Sequence, residues 1–211
     1  MQLYFSPLAC SMASRIALYE AEAQAQFTEV DPKTKKTAQG DDFLAVNPLG
    51  YVPVIRTDDG EVITENAAIL QYIAEQHPHA KLAPVDGVAR TRLQQWLCFI
   101  GTELHKALFA PQFDRKLPDA AKERALEKGA SRLTYLASNL AGRDFLLDGF
   151  TVADAYLFTV LNWHLATSVD LEQWPVVRDY YRRLRERPSI ARAFAEERAL
   201  YAAEQARHKS A

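Results

Sequence analysis

Cysteine is scarce. Two residues, Cys10 and Cys98, in a chain of 211 cannot build a disulfide framework or close a four-cysteine zinc site. So sparing a use of thiols suggests a reducing, cytoplasmic setting. Position 13 is Ala, so Cys10 lacks a Cys-x-x-Cys partner, and any redox cycle would need an external thiol. An excess of one charge is missing too. The 25 Lys and Arg residues nearly balance 27 Asp and Glu, leaving −2. That excludes a general nucleic-acid binder, which neutralises phosphates with surplus cations. Long apolar runs are also absent. The stretch Val152 to Ala166 is broken by Asp154, Asn162 and His164, well short of the roughly 20 residues a membrane span needs. The opening Met1-Gln2-Leu3-Tyr4-Phe5 has no basic segment and reads as a strand, not as a signal peptide. There is no internal repeat or low-complexity tract. What remains, at 48% hydrophobic and 25% charged, is a globular composition with enough chain for a core.

The two halves differ in pattern. In residues 1–77, Gln2 to Phe5 and Phe27 to Asp31 are strand-like and bracket a helix-like Ser11 to Ala23. That is the crossover parallel strands require. Val52 to Arg56 and Glu61 to Thr64 then flank Thr57-Asp58-Asp59-Gly60, a hairpin signal, before a helix over Asn66 to Glu75. The order β-α-β, β-β-α predicts an α/β, thioredoxin-like domain. Residues 78–88, polar and containing Pro and Gly, read as a linker, and 89–211 as an all-α domain. There Leu93, Leu97, Ile100, Leu104 and Leu108 step at helical spacing, and Leu126, Gly129, Leu133, Leu136 and Leu140 repeat the pattern. Thr151 opens a third helix, Pro175 a fourth, and Ser189 to about Ala203 completes the bundle, leaving Arg207 to Ala211 as a frayed tail.

Several side chains carry possible chemistry, each with a structural alternative. Cys10 lies where the first strand gives way to the first helix. Unpaired N–H groups there favour a thiolate, although a small buried cysteine is a common fate. Val52-Pro53 is either an edge-strand proline or a cis-proline exposing the Val52 backbone to an extended peptide. Thr64-Glu65-Asn66 is either a cap, with Thr or Asn at the N-cap, or a place where helix N–H groups hold a carboxylate and Glu65 an ammonium. Lys35 is a solvated charge or a carboxylate partner. Cys98, Thr102 and His105, at i, i+4 and i+7, share a helix face that either covers a seam or meets a ligand. Cys98 and His105 are too few for a metal site. Thr151 and Asp154 form a capping box with Asp in place of Glu or Gln, a structural device.

Five segments together resemble the cytosolic glutathione transferases, most closely the bacterial beta class. They are LYFSPLACS (3–11), DPKTKKTAQGDDFLAVNPLGYVPVI (31–55), TENAAILQYIAEQHP (64–78), QQWLCFIGTELHK (94–106) and GFTVADAYLF (149–158). The resemblance implies a homodimer, each subunit pairing a thioredoxin-like glutathione-binding domain with a helical domain that supplies much of the hydrophobic substrate site. Glutathione would be co-substrate, with no metal, no nucleic acid and no membrane. Cys10 would contact the glutathione sulfur and form a mixed disulfide with it, with Ser11 and His105 helping to activate the thiol. Lys35, Glu65 and Asn66 would hold the tripeptide's charged ends, and Val52, beside Pro53, its backbone. Cys98, Thr102, Glu103, Leu104, His105 and Lys106 would approach the sulfur or the ligand rim.

The implied reaction is conjugation of reduced glutathione to small hydrophobic electrophiles, a detoxifying chemistry, with thiol–disulfide exchange or peroxide reduction through Cys10. A non-catalytic binding or regulatory protein, or a glutathione-dependent dehalogenase or isomerase, would share the same residues. The sequence departs from the class pattern at Phe5 (commonly Tyr), at Met12-Ala13-Ser14-Arg15 (commonly Leu-Ser-Pro-His), at Asn66 (commonly Gly) and at Cys98 (commonly Asn).

Overall fold

In a computed structural model describing residues 1–210, the first sheet has four strands: β1 (Gln2–Phe5), β2 (Gln26–Glu29), β3 (Val54–Arg56) and β4 (Val62–Ile63). Their order is β2-β1-β3-β4. β1 runs parallel to β2, with Leu3 opposite Phe27, and antiparallel to β3, with Tyr4 opposite Val54. The parallel pair is joined by α1 (Met12–Glu20), and α2 (Asn66–Gln76) follows the hairpin. Leu3, Ile16, Ile55, Ile69 and Ile73 are fully buried. On the other side of β1, Tyr4 packs with Val30, Phe43 and Val54. Both faces of the strand are therefore covered, which is why its four residues read as a nearly continuous apolar run. The hairpin turns through Gly60 at φ 93°, a conformation that costs glycine nothing.

This sheet unit spans Met1–Leu82 and also takes in α8 (Pro188–Ser210), which packs on α1. The sequence reading placed this last helix in the bundle and frayed its end. Instead the helix continues through Arg207 and His208, which pair with Glu29 and Asp31. Ala211 lies outside the described residues. Periodicity shows that a helix has a buried face but not which partner covers it. The expected linker is also shorter than read. Pro78–Ala80 form a 3-10 turn, Leu82 is buried, and Gly87 already opens the next helix.

The helical unit, Ala83–Arg187, contains α3 (Gly87–Phe99), a π-helical continuation Ile100–Phe109, α4 (Ala110–Phe113), α5 (Asp119–Leu140), α6 (Val152–Leu161) and α7 (Pro175–Arg185). Every residue of α6 is buried, making it the central helix. Leu93, Leu97, Ile100, Leu104 and Leu108 are buried as their spacing predicts. α5 crosses this stripe at Gly129, where a β-carbon would sit 2.3 Å from Leu108 Cδ1. No helix among the described residues is long and apolar enough to cross a membrane.

Candidate active site

In the sheet unit, Cys10 sits in the turn between β1 and α1, half-buried. Its thiol donates to the Val52 carbonyl at 3.4 Å. The Val52–Pro53 bond is cis, and Pro53 is buried while Val52 stays partly open. Asn66, at the first turn of α2, donates from Nδ2 to the Cys10 carbonyl at 3.1 Å and accepts from the Ser14 hydroxyl at 3.0 Å. Its amide is buried. Asn66 therefore holds the cysteine turn against α2. Ser11 lies beside Cys10 in the same turn. Its hydroxyl is fully buried and donates to the Ser6 carbonyl at 3.2 Å, so the side chain pins the turn internally and leaves only the backbone N–H for a ligand.

Glu65, not Thr64 or Asn66, is the N-cap of α2, and no side chain caps that helix. Its φ of 66° is unusual for a residue with a β-carbon, a form of strain that clusters at ligand clamps. The carboxylate is exposed. Lys35, half-buried, also has a left-handed backbone, and its Nζ donates to the Gly50 carbonyl at 3.0 Å. Gly50 is required there twice over. Its φ is 65°, and a β-carbon would lie 3.1 Å from Lys35 Cδ. One ammonium and one carboxylate thus stand available in the same unit as the thiol.

Sequence reasoning missed the support beneath the cysteine turn. The Arg15 guanidinium, buried, lies 4.2 Å from the centroids of both the Phe5 and Phe27 rings. Its Nε is 3.0 Å from Glu197 of α8, and its Nη1 3.0 Å from Glu196. The other oxygen of Glu197 accepts the Leu8 backbone N–H at 2.7 Å, holding Leu8 at φ 59° two residues before Cys10. The available signal was Glu197 itself, on the same helical stripe as Ile190 and Ala193.

In the helical unit the expected ligand stripe divides. Cys98 and Thr102 are exposed, and the Thr102 hydroxyl bonds back to the Cys98 carbonyl at 3.0 Å. Glu103 pairs with Arg132 at 2.9 Å, and Lys106 is exposed. Leu104 is fully buried in the helix core. His105 turns inward. Its Nδ1 is 2.8 Å from the Tyr156 hydroxyl, and its ring packs edge-on to Trp163 at 4.8 Å. The wider π-helical turn carries His105 off the face that ideal 3.6-residue spacing assigned it. Burial, with the Lys106 ammonium acting in the same direction, pushes the imidazole down to about 4. It is neutral at pH 7 and offers a hydrogen bond rather than a charge.

Thr151 and Asp154 form the expected capping box, and more. Asp154, with no exposed surface, accepts from the Thr151 N–H and hydroxyl at 2.9 Å each, the Leu146 N–H at 2.9 Å and the Tyr180 hydroxyl at 2.7 Å. Burial nevertheless pushes its carboxyl upward.

Residues 1–75 match the family model described as glutathione S-transferase, N-terminal domain, and residues 94–188 its C-terminal domain. The chain is 39% identical to glutathione S-transferase GstA of Escherichia coli O157:H7 across 93% of its own length and 98% of that protein's. Among solved structures it is similar to a sphingomonad glutathione S-transferase complexed with glutathione, at TM-score 0.89 and 43% identity, covering 93% of this chain and 98% of that one. It matches the beta-class glutathione S-transferase of Sphingomonas chungbukensis equally well, at TM-score 0.89, 43% identity and the same 93% and 98% coverage. With the two-domain fold, the thiol turn beside the Val52 carbonyl and these likenesses taken together, the chain belongs to the glutathione S-transferase family, in its bacterial beta class.

Proposed function

We propose that the protein conjugates reduced glutathione to small hydrophobic electrophiles and also exchanges disulfides through Cys10. The observation that carries this reading is the Cys10 thiol at 3.4 Å from the Val52 carbonyl, at the head of α1. An extended tripeptide alongside Val52 would bring its own sulfur to that turn, where the positive end of α1 favours a thiolate. Lys35 would take one of its carboxylates, and Glu65 with the uncapped start of α2 its charged amino-acid end. In conjugation the glutathione thiolate attacks an electrophilic carbon. A C–S bond forms, the bond to a leaving group such as halide breaks with its electron pair, and positioning of the two reactants supplies much of the acceleration.

In exchange, the Cys10 thiolate attacks a glutathione-containing disulfide. A Cys10–glutathione disulfide forms and the other thiolate leaves; a second glutathione then restores Cys10 and departs as glutathione disulfide. Thiol activation falls to the α1 turn, since neutral His105 brings no charge. The electrophile-binding residues are assigned to the helical unit, and the working assembly is a homodimer.

Two measurements test this. Titration calorimetry with glutathione should give a saturable heat, and a chromogenic aryl halide should be turned over in its presence. Heat without turnover would leave a binding protein; neither would overturn the reading. Cys10→Ala should lose the 1:1 glutathione adduct in the mass spectrum together with disulfide exchange. Exchange at the full rate in that variant would remove Cys10 from the mechanism.

A further inference from the structure

The stripe of α8 that faces its own unit reads Ile190, Ala193, Glu197, Glu204, two acids where apolar residues belong. Glu197 is explained by Arg15 and the Leu8 N–H. Glu204 is not: its side chain is 3% exposed, and Oε1 has no hydrogen-bond partner. One helical turn further, His208 stands on the same face, and its Nε2 lies 2.7 Å from Asp31 Oδ2, just beyond β2. One ligand atom from each of Asp31, Glu204 and His208 falls within 4.8 Å of the others, the one such trio among the described residues. The second oxygen of Asp31 is already committed to the backbone N–H groups of Lys33 and Thr34, which fixes the carboxylate with Oδ2 turned to His208. Two carboxylates drawn together with one of them buried and unpaired is costly unless a cation joins them.

We infer that Asp31, Glu204 and His208 form a site for a divalent first-row transition cation, zinc foremost, which fastens the last turns of α8 to the end of β2. The donor set decides the class. An imidazole with two carboxylate oxygens suits zinc and its neighbours better than calcium or magnesium, which take oxygen alone. The spacing fits as well. Two ligand atoms about 2.1 Å from a tetrahedral zinc lie roughly 3.4 Å apart, between the 2.7 Å and 4.8 Å limits seen here. On loading, His208 exchanges its hydrogen bond to Asp31 for the metal, and water completes the shell. Asp31 and His208, at 21% and 14% side-chain exposure, leave a path for entry. The sequence reading expected no metal because it weighed only Cys98 with His105. Positions 31, 204 and 208 have no motif spacing and meet only through the packing of α8.

The test is metal uptake by the full chain. With zinc in a competing chelator buffer, the protein should take up one equivalent, and its thermal midpoint should climb with zinc concentration. Glu204→Gln and His208→Ala should each weaken zinc by more than the roughly 10–100-fold that loss of an outer-sphere partner costs. Cobalt substitution separates this site from the cysteines: a weak oxygen-and-nitrogen spectrum supports it, and an intense thiolate charge-transfer band overturns it. No uptake, or zinc affinity in both variants unchanged from that of the unaltered protein, also overturns it. Should a variant fail to fold, a zinc-soaked crystal of the unaltered protein decides. An anomalous peak between the three side chains sustains the site, and its absence there ends it.

Discussion

Glu197 is a carboxyl with no exposed surface, and burial pushes it up to about 8 against the opposing pull of Arg15. Its ordinary value is 4.5. Between those two values the folded chain keeps a proton that the unfolded chain has released, so stability falls as pH rises through the window and levels off above it. Glu197→Gln keeps an acceptor for the Leu8 N–H but cannot titrate. Denaturant midpoints followed by far-UV circular dichroism should therefore decline with pH more steeply in the unaltered protein than in the variant. The difference should reach on the order of a few kcal/mol across the window. Parallel curves would show that Glu197 is ionised throughout. Residues of this kind are the least legible in a sequence. Cys10 announces itself because a strand pattern ends and a helix pattern begins around it. An acid in a long helix reads as solvated surface until the arginine that meets it is known.

Elements were legible where one local rule decided them. β1 and the start of α2 fall where the pattern put them, and the Thr151 box opens α6. The π-helical segment was not legible, since its leucines step by four in a way an ordinary helix also permits. The Asp154 cluster sharpens a second expectation. A cap alone is worth about 1 kcal/mol, so Thr151→Ala should cost about that much. Asp154→Ala would strand the Leu146 and Thr151 N–H groups and the Tyr180 hydroxyl inside the unit, at about 1–3 kcal/mol for each buried donor. Its loss should be at least twice that of Thr151→Ala. Trp96, Trp163 and Trp174 all lie in this unit, so urea unfolding followed by tryptophan emission reads it directly. Equal losses would mean that Asp154 is no more than a cap.

At the scale of the whole molecule, the sequence separated a sheet-containing part from a helical part, and α8, read with the helices, packs on α1. Patterning records that a helix is amphipathic, and only the contacts of Arg15 with Glu196 and Glu197 and the Leu8 hydrogen bond record where it goes. A chain ending at Arg187 would uncover α1 and take both carboxylates from the Arg15 guanidinium. Such a chain should lose the heat of glutathione binding, and retention of that heat would show that the cysteine turn stands without α8. The bond between the Leu8 amide and Glu197 spans 189 positions. A ribosome releases residues in order, so the turn that carries Cys10 emerges well before the carboxylate that holds it. Throughout translation of the intervening helices, the Leu8 amide therefore waits for the carboxylate that will accept it.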